Sequence, residues 1–104
     1  MNLTKDLFTK TVTEGSKPVL VEFQAPWCMY CRRLASAMNA VEKQYADTLT
    51  VGFVNIDEEP QLEEQENIEL VPTLVLYQNG KRLGTLVNPD SKAKVDAFIQ
   101  EKLQ

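Results

Sequence analysis

The run Val19-Leu20-Val21-Glu22-Phe23-Gln24-Ala25-Pro26-Trp27-Cys28-Met29-Tyr30-Cys31-Arg32-Arg33-Leu34 carries two structural periods with a break between them. Residues 19–23 are apolar or β-branched except for Glu22, the profile of a strand buried on both faces. Beyond the break, Leu34, Met38, Val41 and Tyr45 recur at helical spacing, while Arg32, Arg33, Glu42 and Lys43 fall away from that face. A helix is therefore expected from Cys28 to about Tyr45. Cys28 and Cys31 are the only 2 cysteines, and they stand at the junction. A vicinal dithiol between a strand and a helix is the sequence signature of thiol–disulfide exchange.

The rest of the chain extends this pattern. Leu3 and Thr4 read as a short extended piece, with Thr4 or Asp6 capping a helix to about Val12. Glu14-Gly15-Ser16-Lys17 is a loop, and Pro18 opens the strand already described. Thr48 to Ile56 reads as a second core strand, and Pro60 is placed to open a short helix. Thr73–Tyr77 and Arg82–Val87 flank Asn79-Gly80, which predicts a hairpin because both central residues of its turn need positive φ. Asn88-Pro89-Asp90-Ser91 breaks the chain before a last helix with Val95, Phe98, Ile99 and Leu103 on its apolar face. A strand, long helix and strand pair in parallel through a crossover. The hairpin adds antiparallel strands. The expected fold is α/β, a central mixed sheet flanked by helices on both faces.

The 104 residues fit one domain spanning 1–104, and 43% hydrophobic content suffices for a core. A bridge between cysteines so close constrains the unfolded chain little, which argues against a purely structural disulfide. A net charge of −4 argues against a nucleic-acid partner. No apolar stretch approaches the roughly 20 residues that span a membrane. The polar Met1-Asn2-Leu3-Thr4-Lys5-Asp6 has no signal-peptide core, so a cytoplasmic protein without membrane attachment is expected. Nothing points beyond a monomer. Structural zinc needs four Cys or His ligands, and this chain has 2 Cys and no His. No cofactor is implied.

Exchange chemistry needs an attacking thiolate and a second thiol to resolve the mixed disulfide. Cys28 lies where free backbone N–H groups and the helix dipole favour a negative sulfur. Cys31, one turn on, is expected to be more buried and to stay protonated until needed. Arg32 and Arg33 add positive potential nearby. The acidic run Glu58, Glu59, Glu63, Glu64, Glu66 and Glu69 reads as a solvated helix face, or else as a steering surface for basic partners.

Over almost its whole length the chain resembles thioredoxins. The resemblance is carried by Val19–Phe23, Ala25-Pro26-Trp27-Cys28, Cys31, Val54-Asn55-Ile56-Asp57, Val71-Pro72-Thr73 and Asn79-Gly80. It implies the thioredoxin fold and a protein dithiol–disulfide oxidoreductase, with Cys28 attacking and Cys31 resolving. It also implies disulfide-containing protein substrates and a thioredoxin-reductase-type electron donor. On its own residues Pro72 reads as an ordinary trans proline opening a strand. The resemblance instead makes Val71-Pro72 a cis bond facing the sulfurs, with the Val71 backbone offered to an extended substrate. Glu22 matches the family's buried acid, usually Asp, which exchanges a proton with the second thiol. The competing reading puts Glu22 at a strand edge, reaching water. Trp27 would shape the substrate surface.

Several positions depart from the family. Phe53 stands where many members carry a Lys partner for the buried acid, and Gln24 where many have a second Trp. Ser36 replaces a helix Pro, so less kinking is expected. Asn88 replaces a Gly where partners approach closely. Above all, Met29-Tyr30 replaces Gly-Pro between the cysteines. Without that Pro, one more backbone donor lies near the Cys28 sulfur, which would favour the reduced form and make the disulfide a stronger oxidant. Met29 and Tyr30 add apolar contacts for partners. Two other classes stay open: a non-catalytic binding or chaperone module on the same fold, and a thiol oxidase or isomerase. Both intact cysteines argue against the first, and the absent signal sequence against the second.

Overall fold

In the computed structural model, which describes residues 1–103, the Thr4 hydroxyl accepts the Leu7 N–H and opens α1, Lys5–Glu14. The buried run follows as β1, Val19–Gln24, and leads into α2, Met29–Gln44. β2 is Thr50–Asn55, and Pro60 begins the short α3, Pro60–Gln65. β3, Thr73–Gln78, and β4, Lys81–Val87, form the hairpin, and Ser91 caps α4, Lys92–Lys102. Asn79 and Gly80 both take positive φ, 54° and 78°, as the Asn-Gly turn requires.

The strands order as β2-β1-β3-β4. β1 pairs in parallel with β2, and Glu22 lies opposite Phe53. On its other side β1 runs antiparallel to β3, with Glu22 opposite Leu74. β1 is therefore interior, not an edge, and the edge reading of Glu22 is wrong: its side chain is 1% exposed. Beyond β2, Asn2 makes a single bridge to Phe53, and Leu3 packs against Gly52.

Each face of the sheet carries its own apolar layer. Val19, Val21 and Phe23 of β1 pack with Phe8 and Val12 of α1 and Leu62 of α3. Leu20 packs on the opposite face with Leu34, Met38 and Val41 of α2 and Val95, Phe98 and Ile99 of α4. Full burial of each such side chain contributes about 1.5–3 kcal/mol. Glu22 shares the α2 face with Leu20, which follows from the alternation of side chains along a strand.

Several boundaries move by one or two residues, and two of these shifts have a clear cause or bear on the site. The second strand starts later than Thr48, because the Thr48 and Leu49 N–H groups bond the Tyr45 carbonyl in a turn. The long helix begins at Met29, and Cys28 is its N-cap.

Candidate active site

The N-terminus of α2 places the first sulfur. Cys28 is extended, with φ −83° and ψ 112°, and its side chain occupies the capping position usually taken by Ser, Thr or Asp. The Cys31 N–H donates to Cys28 Sγ at 3.1 Å. That bond takes up one of the helix's otherwise unpartnered N–H groups and strengthens when the sulfur is ionised. The donor at the sulfur is thus the Cys31 N–H. A residue pair 29–30 without Pro does not add this bond.

Both cysteines are free thiols. Their burial is nearly equal, 5% exposed for Cys28 and 4% for Cys31, so the expected contrast in depth is absent. The contrast lies in electrostatics. Burial, together with the bond to Cys28, pushes the Cys31 thiol up to about 12, and the Glu22 charge adds to it. Cys31 is therefore protonated at neutral pH.

The loop before β3 closes over the first sulfur. Val71-Pro72 is a cis peptide bond, as the resemblance implied. The Cys28 thiol donates to the Val71 carbonyl at 3.5 Å. Thr73 anchors this loop, its hydroxyl donating to the Leu70 carbonyl at 2.6 Å. Asn88 donates its N–H to the Pro72 carbonyl at 2.8 Å and takes φ 49°. Asn tolerates that left-handed conformation better than other residues with a side chain, so the backbone here keeps a glycine-like path.

Around Cys28 lies an exposed apolar collar. Trp27 is 64% exposed, and Met29, Tyr30 and Leu70 are each more than half exposed. The Trp27 indole N–H donates to Asp57 Oδ1 at 3.2 Å, which fixes the ring. Tyr30 is covered on one face by the Arg33 guanidinium, 5.7 Å from its centroid. Leu70 was not singled out from sequence, and Asp57 was quoted only within the resemblance, with no role given to it. Each is brought to the site only by folding, and neither carries a local signal.

Glu22 sits behind the thiols on the α2 face of β1. Its Oε2 has no hydrogen-bond partner. Burial pushes its carboxyl from the ordinary 4.5 up to about 7. Phe53 opposite it offers no charge, which agrees with the departure noted at that position. The structure thus gathers Cys28, Cys31, Trp27, Met29, Tyr30, Val71 and Pro72 at one end of the sheet, with Glu22 behind them.

The acidic run is not wholly a solvated face. The buried Tyr77 hydroxyl donates to Glu66 Oε1, and Arg82 donates to the Glu66 carbonyl at 2.7 Å and to its Oε1 at 3.3 Å. Among the described residues no group of three or more Cys, Asp or Glu side chains is arranged to hold a metal ion. No helix among them is long and apolar enough to cross a membrane.

The family model described as Thioredoxin matches residues 1–101. The chain is 41% identical over 101 residues to "Thioredoxin" of Acidithiobacillus ferridurans, covering 97% of this chain and 94% of that protein. It is likewise 41% identical over 101 residues to "Thioredoxin 1" of Synechococcus elongatus, with 97% and 94% covered. To "Thioredoxin" of Alicyclobacillus acidocaldarius it is 36% identical over 104 residues, with 100% and 98% covered.

Proposed function

The chain belongs to the thioredoxin family and is a dithiol–disulfide oxidoreductase, and on that premise we propose that Cys28 is the attacking thiolate and Cys31 the resolving thiol. The observation that carries this assignment is the N-cap geometry: Cys28 Sγ accepts the Cys31 N–H at 3.1 Å at a helix start, whereas the Cys31 thiol is held protonated.

In the first step the Cys28 thiolate attacks one sulfur of a substrate disulfide. A Cys28–substrate disulfide forms, and the other substrate sulfur leaves as a thiolate. Cys31 then gives its proton to the Glu22 carboxylate, and its thiolate attacks Cys28 Sγ. The Cys28–Cys31 disulfide forms and the second substrate thiolate departs. Two electrons have passed to the substrate, and a two-electron donor must return them; a thioredoxin-reductase-type enzyme is the class that fits. Glu22 suits the proton step because burial sets its carboxyl near neutrality, so both protonation states are accessible.

The substrate segment lies extended along the Val71-Pro72 backbone, with Trp27, Met29 and Tyr30 as its apolar contacts. We read residues 1–104 as one domain acting as a monomer on disulfide-containing proteins in the cytoplasm. It takes no nucleic acid and no membrane as partner. The test is a Cys31→Ser trap exposed to disulfide-bonded insulin. It should accumulate a mixed disulfide on Cys28, visible as an intact-mass adduct. A Cys31→Ser protein that forms none, while the parent chain reduces insulin, would overturn the assignment.

A further inference from the structure

Arg32 and Arg33 follow the second cysteine, and both are exposed. The Arg32 guanidinium is committed: its Nη1 donates to the Pro26 carbonyl at 3.2 Å and ties α2 to the turn before Cys28. The Arg33 guanidinium instead lies over the Tyr30 ring, 5.7 Å from its centroid, and makes no hydrogen bond or ion pair among the described residues. The sequence explains why it is unpaired. Its neighbours on the helix surface are Met29, Tyr30, Ser36 and Ala37, and none is acidic. A helix N-terminus favours acids over arginines, yet the first turn of α2 holds no acid. A local rule broken without compensation nearby points to a use outside the fold.

We propose that Arg33, held by the ring of Tyr30, is a specificity-determining residue that selects protein disulfides with an Asp or Glu two residues from the reacting cysteine. The proposal rests on the reading of Cys28 as the attacking thiolate and of the Val71-Pro72 backbone as the bed of an extended substrate. Arg33 stands one turn beyond Met29 and Tyr30 and between them around the helix. Helical side chains lean toward the N-terminus, so its guanidinium reaches back toward the Cys28 end, where the Tyr30 ring meets it. An aromatic face holds a guanidinium without consuming its N–H donors, and those donors match a carboxylate. In an extended segment, residues two apart project to the same side. The side chain two places from the substrate cysteine therefore faces the collar, as the cysteine does, and a carboxylate there gains a charge-assisted hydrogen bond from Arg33. A carboxylate next to the cysteine points away. Of the acids at this end of the molecule, Glu22 is buried and Asp57 accepts the Trp27 indole N–H, so neither pairs with Arg33.

The test measures how fast the reduced protein cleaves disulfide-linked dimers of a short uncharged peptide with one central cysteine. Versions of the peptide carry Glu, Gln or Lys two residues before or after that cysteine. Reactions are quenched with acid, and the released peptide thiol is measured by chromatography. Each rate is divided by that of dithiothreitol with the same peptide, which removes the effect of the flanking charge on the disulfide itself. On one side of the cysteine, Glu should be favoured over Gln by about threefold at low salt, and over Lys by more. The preference should fade at about 1 M salt. Arg33→Gln should bring the Glu-to-Gln ratio to about one, and Arg33→Glu should favour Lys instead. Tyr30→Phe should keep the parent ratio and Tyr30→Leu should lower it, because only the former retains an aromatic face. Each ratio compares peptides on one protein, so a general loss of activity or stability cancels. A ratio near one in the parent, or a preference that survives Arg33→Gln, would overturn the proposal, and a ratio unchanged by Tyr30→Leu would remove the ring from it. The same peptides offered to the Cys31→Ser protein separate the two readings. Flat ratios with a peptide adduct on Cys28 sink the role of Arg33 alone, whereas no adduct on Cys28 sinks the attacking assignment as well.

Discussion

Replacing Glu22 with Gln should remove a loss of stability that sets in as pH rises. The Glu22 carboxyl titrates at about 7 in the folded state against an ordinary 4.5. Below the lower value both states hold the proton and the side chain costs nothing in charge. Between the two values the unfolded chain has released its proton while the folded chain keeps it. Stability therefore falls as pH rises through this window and levels off once the folded carboxyl has ionised. The displacement from 4.5 to about 7 is worth about 3 kcal/mol. Because the side chain is 1% exposed, solvent screening removes little of that. A Gln side chain stays neutral throughout. Its amide adds an offset from its own hydrogen bonding, but the offset does not change with pH. Urea unfolding of the reduced protein, followed by circular dichroism from about pH 4 to about pH 8, gives the comparison. The variant should gain about 3 kcal/mol relative to its parent across that range, since every other carboxylate is common to both. A parent-minus-variant difference that stays flat would refute the assignment of a buried, charge-starved acid.

Glu66→Ala leaves the buried Tyr77 hydroxyl without its acceptor and should cost about 1–3 kcal/mol in urea unfolding; in a Tyr77→Phe background the loss should be smaller, and an equal loss would place the effect elsewhere. Gly52→Ala drives a methyl group into the buried Leu3 side chain and should cost about 1–3 kcal/mol; in a Leu3→Ala background the same change should cost less, and an equal cost would mean that the strain lies in the strand itself.

Most of the fold was legible because its strongest signals are local. The β-branched run 19–23, the four-residue spacing from Leu34, the Asn-Gly turn and the Ser91 cap each work within a few residues. The strand expected at Thr48 failed at its start because the Tyr45 carbonyl captures the Thr48 and Leu49 N–H groups, a competition that composition does not reveal. At the site, the dithiol, Trp27 and the Val71-Pro72 pair were readable from motif and resemblance. Leu70, the bond of Asp57 to Trp27 and the Glu66–Tyr77–Arg82 cluster were not, because each depends on contacts between residues distant in sequence. The contrast in depth between the two cysteines was overstated because Cys28 is more buried than expected. Helix position suggested it, but the loop at Val71 encloses Cys28 almost as fully.

The indole held by Asp57 has an optical consequence. Trp27 is the chain's only tryptophan, and it adjoins Cys28 in sequence. Its emission therefore comes from a single place, undiluted by other indoles. Burial of the ring under a partner or a rearrangement at the neighbouring sulfur would alter the colour or brightness of the whole signal. The protein thus carries a built-in lamp at its reacting end. Docking and electron transfer can be followed on the unlabelled chain, in real time, from one fluorophore of known address.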